Sequence, residues 1–162
     1  MEVYGFKNIK LLNSGYDSWS LEEYPKTTQV PKIIDSDRIA TKFSTQIATK
    51  NPNQIIIDAR PGKAYKGVVS SAKRYGHIPE ALNIPASHNI DNSSLKEISE
   101  LQDVYKNIDK KKKIILYCAI GKISATNYFA LRELGYNVSN YDASWKEWGN
   151  DFQLPIINPS KK

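Results

Sequence analysis

The sequence predicts an α/β domain built on a mainly parallel sheet, and three observations predict it: short apolar runs that read as buried strands, helical periodicities between them, and the alternation of the two along the chain. The runs are Gln54-Ile55-Ile56-Ile57-Asp58, Lys113-Ile114-Ile115-Leu116-Tyr117 and Val138-Ser139-Asn140-Tyr141. A strand covered by helices on both faces needs apolar side chains pointing both ways, so a continuous apolar run replaces polar and apolar alternation.

The helices follow in order. Ser36-Asp37 reads as the cap of a first helix carrying Ile39, Phe43 and Ile47. Ser93-Ser94 precedes Leu95, Ile98, Leu101, Val104 and Tyr105 at helical spacing, which predicts a second. From Ser124 to Leu134 the pattern recurs through Tyr128, Leu131 and Leu134, and Gly135 stops it. Ligand sites in such sheets collect at the carboxyl ends of strands, where loops enter helices. Two of the predicted strands deliver Asp58 and Cys118 to that edge.

The first residues echo the last. At one shift, Asn8-Ile9 falls on Asn137-Val138, and Tyr16-Asp17-Ser18-Trp19 on Trp145-Lys146-Glu147-Trp148; Pro25 and Pro155 follow in turn. Residues 1–32 are therefore read as the tail of a truncated upstream domain plus a linker, and residues 33–160 as a complete second copy. Leu11, Leu12, Tyr16 and Trp19 of such a tail need cover from the second copy or stay disordered.

Composition narrows the function. Hydrophobic residues make up 40% and charged residues 25%, which are globular proportions, and no stretch reaches the roughly 20 apolar residues of a membrane helix. No membrane partner is expected, and Met1-Glu2-Val3-Tyr4-Gly5 has neither the basic nor the apolar stretch of a signal peptide. The net charge is +6, but the dense basic run Lys110-Lys111-Lys112-Lys113 has no interleaved aromatic platform and reads as a solvated turn, so no nucleic acid partner is expected. One cysteine excludes an internal disulfide and a cysteine-rich zinc site. Cys118 is then a buried small hydrophobe, a surface accident or a nucleophile, and its setting decides.

That setting favours a nucleophile. Tyr117-Cys118-Ala119-Ile120-Gly121-Lys122-Ile123-Ser124 runs from a strand end into a helix start, where unpaired amides favour a thiolate. Gly121 lets the loop curl, and Lys122 adds a cation for the thiolate and for an anionic substrate. Asp58 has two readings: contact with substrate or orientation of the loop, against a turn cap or a pair with Arg60. Arg60 either holds loop carbonyls and carboxylates or touches substrate. His77 reads as structural, and His88 has no second metal-ligand pattern beside it.

Five segments carry a family resemblance: Ile57-Asp58-Ala59-Arg60; Tyr65-Lys66-Gly67; Gly76-His77-Ile78-Pro79-Glu80-Ala81-Leu82-Asn83-Ile84-Pro85; Tyr117-Cys118 with Gly121; and Tyr141-Asp142-Ala143-Ser144-Trp145-Lys146-Glu147-Trp148. In this order they resemble the rhodaneses, and in detail the cysteine-bearing C-terminal half of a tandem-domain thiosulfate sulfurtransferase. The resemblance implies a central, mainly parallel five-stranded sheet with helices on both faces. It implies a sulfurtransferase that moves sulfane sulfur from thiosulfate or a related donor to a thiol or cyanide acceptor through a Cys118 persulfide. The persulfide would be held by the loop residues Ala119, Ile120, Gly121, Lys122, Ile123 and Ser124, with no metal and no cofactor beyond that covalent intermediate. The implied partners are a small anionic sulfur donor, a thiol or cyanide acceptor that could be a protein thiol, and an upstream rhodanese-like domain if the native protein is longer.

The sequence departs from the family pattern at three places. Ala119 stands where active thiosulfate enzymes often have arginine, Ile123 where many bacterial relatives have another, and Ala64 where a basic residue often precedes the loop tyrosine. Lys122, aided by Lys63, is the remaining anion contact, which brings a thiol-bearing donor or a protein persulfide beside thiosulfate. Loss of the loop arginines also leaves a non-catalytic binding or regulatory module as an alternative. A cysteine phosphatase needs arginine six positions after the cysteine, and this chain has Ser124 there.

Overall fold

In the computed structural model, which describes Glu2 and residues 36–161, the main sheet has five strands and every pairing is parallel. The strands are β1 (Ile39–Ala40), β2 (Gln54–Asp58), β3 (Ala81–Asn83), β6 (Lys113–Tyr117) and β7 (Val138–Tyr141), in the order β1-β7-β6-β2-β3. Between β3 and β6, β4 (Ile90–Asp91) and β5 (Ser94–Leu95) form an antiparallel hairpin. The three apolar runs are strands with the predicted bounds. The expected tail and linker, and the cover expected for Leu11, Leu12, Tyr16 and Trp19, lie outside the described residues.

Side chains leave a strand alternately to its two faces, and β6 shows the consequence. Ile115 and Tyr117 enter a core with Ile56, Ile78, Tyr141, Trp145 and Trp148. Ile114 and Leu116 enter another with Ile57, Leu101, Tyr105, Leu131 and Val138. The first core is covered by α1 (Lys42–Ala48), α2 (Gly62–Tyr65) and α5 (Ser144–Trp148), the second by α3 (Ile98–Tyr105) and α4 (Ser124–Glu133). Helices thus flank both faces.

Two predicted helix starts are displaced. Ser36–Arg38 is a turn of 3-10 helix, Ile39 lies in β1, and α1 begins only after Thr41. Thr41 and Ser44 bond each other's backbone N–H through their hydroxyls, at 3.1 and 2.9 Å, a reciprocal cap that outcompetes Ser36-Asp37. The helix buries the small residues Thr45 and Ala48, which let it lie close to the sheet, and leaves Phe43 71% exposed. Likewise Ser93 caps nothing: Asn92 and Ser93 have φ of 45° and 70°, the left-handed pair that closes a tight hairpin, and α3 starts from Glu97. The prediction for α4 matches the structure, with Gly135 at φ +80° just beyond it.

Candidate active site

Cys118 follows β6, and Asp58 ends β2, at the carboxyl edge of adjacent strands. From β2 the chain steps to β3 on one side, and from β6 it steps to β7 on the other. The two loops diverge there, and the crevice they leave is where parallel sheets bind ligands.

The start of the cysteine loop is tied to the turn after β7. Ser144 Oγ accepts from the Cys118 N–H at 3.0 Å and donates to Tyr141 O at 2.7 Å. Trp145 N–H donates to Cys118 O at 3.0 Å, and Lys146 N–H to Ala119 O at 2.9 Å. Ser144 holds a φ of 53°, a conformation most residues avoid, so this turn is strained in favour of the contact.

Carbonyls and amides of the loop are treated differently. Gly121 O accepts from Ser124 Oγ at 3.0 Å, Lys122 O from Ala125 N–H and Ile123 O from Thr126 N–H. By contrast, none of the six amides from Ala119 to Ser124 donates to a protein acceptor among the described residues. Successive free N–H groups at a helix entry form an anion-binding concavity. Gly121 makes the curl possible at φ +81°, and a Cβ there would lie 2.4 Å from Asp142 O.

Cys118 is wholly buried and belongs to neither apolar core cluster. Its Sγ lies 3.5 Å from the hydroxyl of Ser124, which is itself wholly buried. Of the other loop residues, Ile120, Lys122 and Ile123 are exposed and Ala119 is half-buried. The sulfur therefore sits beneath a rim that is mostly apolar and carries one cation.

Asp58 and Arg60 form a buried pair. Both carboxylate oxygens accept from Arg60, at 2.6 Å for the shortest contact, and Oδ2 also accepts from Tyr117 OH at 2.6 Å. Arg60 donates onward to Gly76 O at 2.7 Å and lies 4.4 Å over the Trp145 ring. Burial opposes its charge, but the carboxylate outweighs burial and holds the guanidinium above its ordinary pKa. Asp58 and Arg60 are thus both buried, with Nε and Nη2 of the guanidinium on the carboxylate and Nη1 without a partner among the described residues. His77 donates from Nδ1 to Tyr65 O at 2.8 Å and stacks on the Tyr65 ring. His88 is exposed at the end of a 3-10 turn.

Sequence reasoning missed Ser144 and Asn140 as site neighbours. Ser144 stands inside a motif quoted for the resemblance, but nothing local announces its bond to Cys118. Asn140, a polar residue within the β7 run, accepts from Ser124 Oγ at 2.8 Å. An amide interrupting a buried strand was the available signal.

Residues 40–151 match the rhodanese-like domain family. The chain is 35% identical over 175 residues to a Haloferax volcanii protein named "Putative thiosulfate sulfurtransferase", covering 96% of this chain and 61% of that one. It is 33% identical to the Thermus thermophilus "Sulfur carrier protein TtuD", over 94% of this chain and 62% of the relative. The chain therefore spans about three fifths of the length of these curated relatives. Among solved structures, the anaerobic ergothioneine biosynthesis enzyme from Chlorobium limicola, bound to trimethyl histidine, has the same fold, with a TM-score of 0.82, 23% identity and coverage of 94% of this chain and 42% of that one. With the strand order, the cysteine loop and the matched residues in agreement, the chain belongs to the rhodanese family.

Proposed function

We propose that this chain is the sulfur-carrying part of a sulfurtransferase of the thiosulfate sulfurtransferase type, with Cys118 as nucleophile. The observation that carries the proposal is the asymmetry of the loop: the carbonyls of Ala119, Gly121, Lys122 and Ile123 accept hydrogen bonds, while none of the six amides after the chain's sole cysteine donates to an acceptor among the described residues. The names of the relatives from Haloferax volcanii and Thermus thermophilus support the same chemistry.

The cycle is written as two displacements. The Cys118 thiolate attacks the outer sulfur of thiosulfate or a related donor; a sulfur–sulfur bond forms at Sγ, the donor's own breaks, and sulfite, or the thiolate of a persulfide donor, departs with the electron pair. The new persulfide bears its negative charge on the outer sulfur, and the amides from Ala119 to Ser124 hold it there. A thiol or cyanide acceptor then attacks that outer sulfur and Cys118 leaves as thiolate. No cofactor is consumed. Lys122 is the loop cation that draws in an anionic donor, and the exposed Ile120 and Ile123 suit an acceptor with apolar surface, including a protein thiol. Asp58 and Arg60 brace the loops rather than bind the donor. A phosphatase is disfavoured because the sixth position after Cys118 offers a hydroxyl in place of a phosphate-clamping guanidinium.

Intact-mass measurement after incubation with thiosulfate, and separately with glutathione persulfide, tests this. The expected result is a gain of about 32 Da, one sulfur atom, that is discharged by cyanide and absent in Cys118→Ser. Unchanged mass with both donors would favour a non-catalytic binding module.

A further inference from the structure

The hydroxyl of Ser124 has more acceptors around it than hydrogens to give. Its Oγ lies 2.8 Å from Asn140 Oδ1, 3.0 Å from Gly121 O and 3.5 Å from Cys118 Sγ. One hydroxyl hydrogen serves one of these at a time. Gly121 O has a second donor, the Asn140 Nδ2 amide at 3.4 Å, so it is not left bare when the hydroxyl turns away. The real choice lies between Asn140 Oδ1 and the sulfur. A neutral sulfur is a weak acceptor and a thiolate a strong one, so the charge on Sγ decides which way the hydrogen points.

We propose that Ser124 is a catalytic hydrogen-bond donor that follows the charge on Cys118, resting on Asn140 Oδ1 while Sγ is neutral and turning to Sγ when it becomes a thiolate. Its role in sulfur transfer rests on the persulfide cycle proposed above; its role towards the thiolate does not. In that cycle Sγ is charged twice, before it attacks the donor and as it leaves when the acceptor takes the outer sulfur. In between, the charge sits on the outer sulfur, where the free amides act and Ser124 is not needed. A stabilised thiolate is present at lower pH and leaves faster, although each thiolate attacks more slowly.

Two measurements on Ser124→Ala read these consequences. Alkylation of Cys118 by iodoacetamide, followed from pH 5 to 10, should move to higher pH, with a rate about threefold lower on the acid side that crosses over to about threefold higher than the unsubstituted protein once the thiolate is fully formed. Discharge of preloaded persulfide by cyanide should be slowed about tenfold at every pH, because the leaving thiolate has lost its donor. Ser124→Thr, which retains a hydroxyl, should keep both profiles. Ser124→Val, which has the shape of the threonine variant without its hydroxyl and leaves the Asn140 Nδ2 bond to Gly121 O in place, supplies a second test with the same expected alkylation shift. Folding of each variant is checked by circular dichroism. Superimposable alkylation profiles in folded protein would overturn the proposal, as would alkylation slowed equally at all pH values, which is a packing defect, or discharge at the unsubstituted rate. If the unsubstituted protein never gains sulfur, the sulfurtransferase reading fails, while the alkylation arm still decides the role of Ser124.

Discussion

Asp58, Arg60 and Tyr117 show how single residues hold the site in place. The carboxylate takes hydrogen bonds from the guanidinium and the phenol, and the phenol oxygen accepts from Ile78 N–H at 3.1 Å. Burial, with the neighbouring carboxylate next, drives the Tyr117 phenol well above its ordinary pKa, so it stays a neutral donor. Asp58→Asn leaves a guanidinium that is 2% exposed without its counter-charge, so a loss of about 3–5 kcal/mol is expected in urea unfolding. A loss below about 1 kcal/mol would mean that water or another group takes over the charge. The Asp58–Arg60 pair was readable from two residues of spacing. The phenol was not, because Tyr117 reaches Asp58 across two strands and 59 positions of sequence.

The cysteine loop, as an element, depends on one backbone conformation. Gly121 is at φ +81°, and an added Cβ would meet Asp142 O and its carboxylate at 2.4 and 2.5 Å. Gly121→Ala must therefore displace the loop from the turn after β7, and with it the amides that follow Cys118. Sulfur loading, followed as the rate of mass gain, should fall at least about tenfold, since small misplacements at a reacting centre are costly. Loading at the unsubstituted rate would show that the curl is dispensable. The strands around this loop were legible because each is a run of apolar residues buried on both faces. The edge strands β1 and β3, two and three residues long, were not: Leu82 is exposed, and so short a stretch has no period. Helix α1 was misplaced because its most apolar residues face solvent and its smallest face the sheet.

Across the whole molecule, the last described segment closes the fold beside the site. His77 pairs with Ile157 in an antiparallel bridge, and Trp148 Nε1 donates to Pro155 O at 2.9 Å. Burial, joined by the charge of Arg60, holds the His77 imidazole below its ordinary pKa against the pull of the Tyr65 carbonyl and Asp58. The unfolded chain, where histidine titrates near 6.5, then binds the proton more readily than the folded one. His77 thus contributes stability that is present above about pH 6.5 and is lost as the pH falls through its lower folded value. Urea midpoints measured from pH 8 to pH 5 should fall on the acid side, and His77→Gln should flatten that limb. An unchanged limb in the variant would assign the acid sensitivity to other groups.

Local pattern alone determined the fold class, the three central strands, helix α4 and the cysteine that heads the loop, because each rests on residues adjacent in sequence or one helical turn apart. Tertiary structure decided who stands around the sulfur. Ser144 meets Cys118 over 26 positions, and Ser124 meets Asn140 over 16. Those contacts follow from the parallel register of β6 and β7 and from a strained turn between β7 and α5. No local propensity encodes such a register; it is set when the two cores pack and bring distant strand ends to one edge.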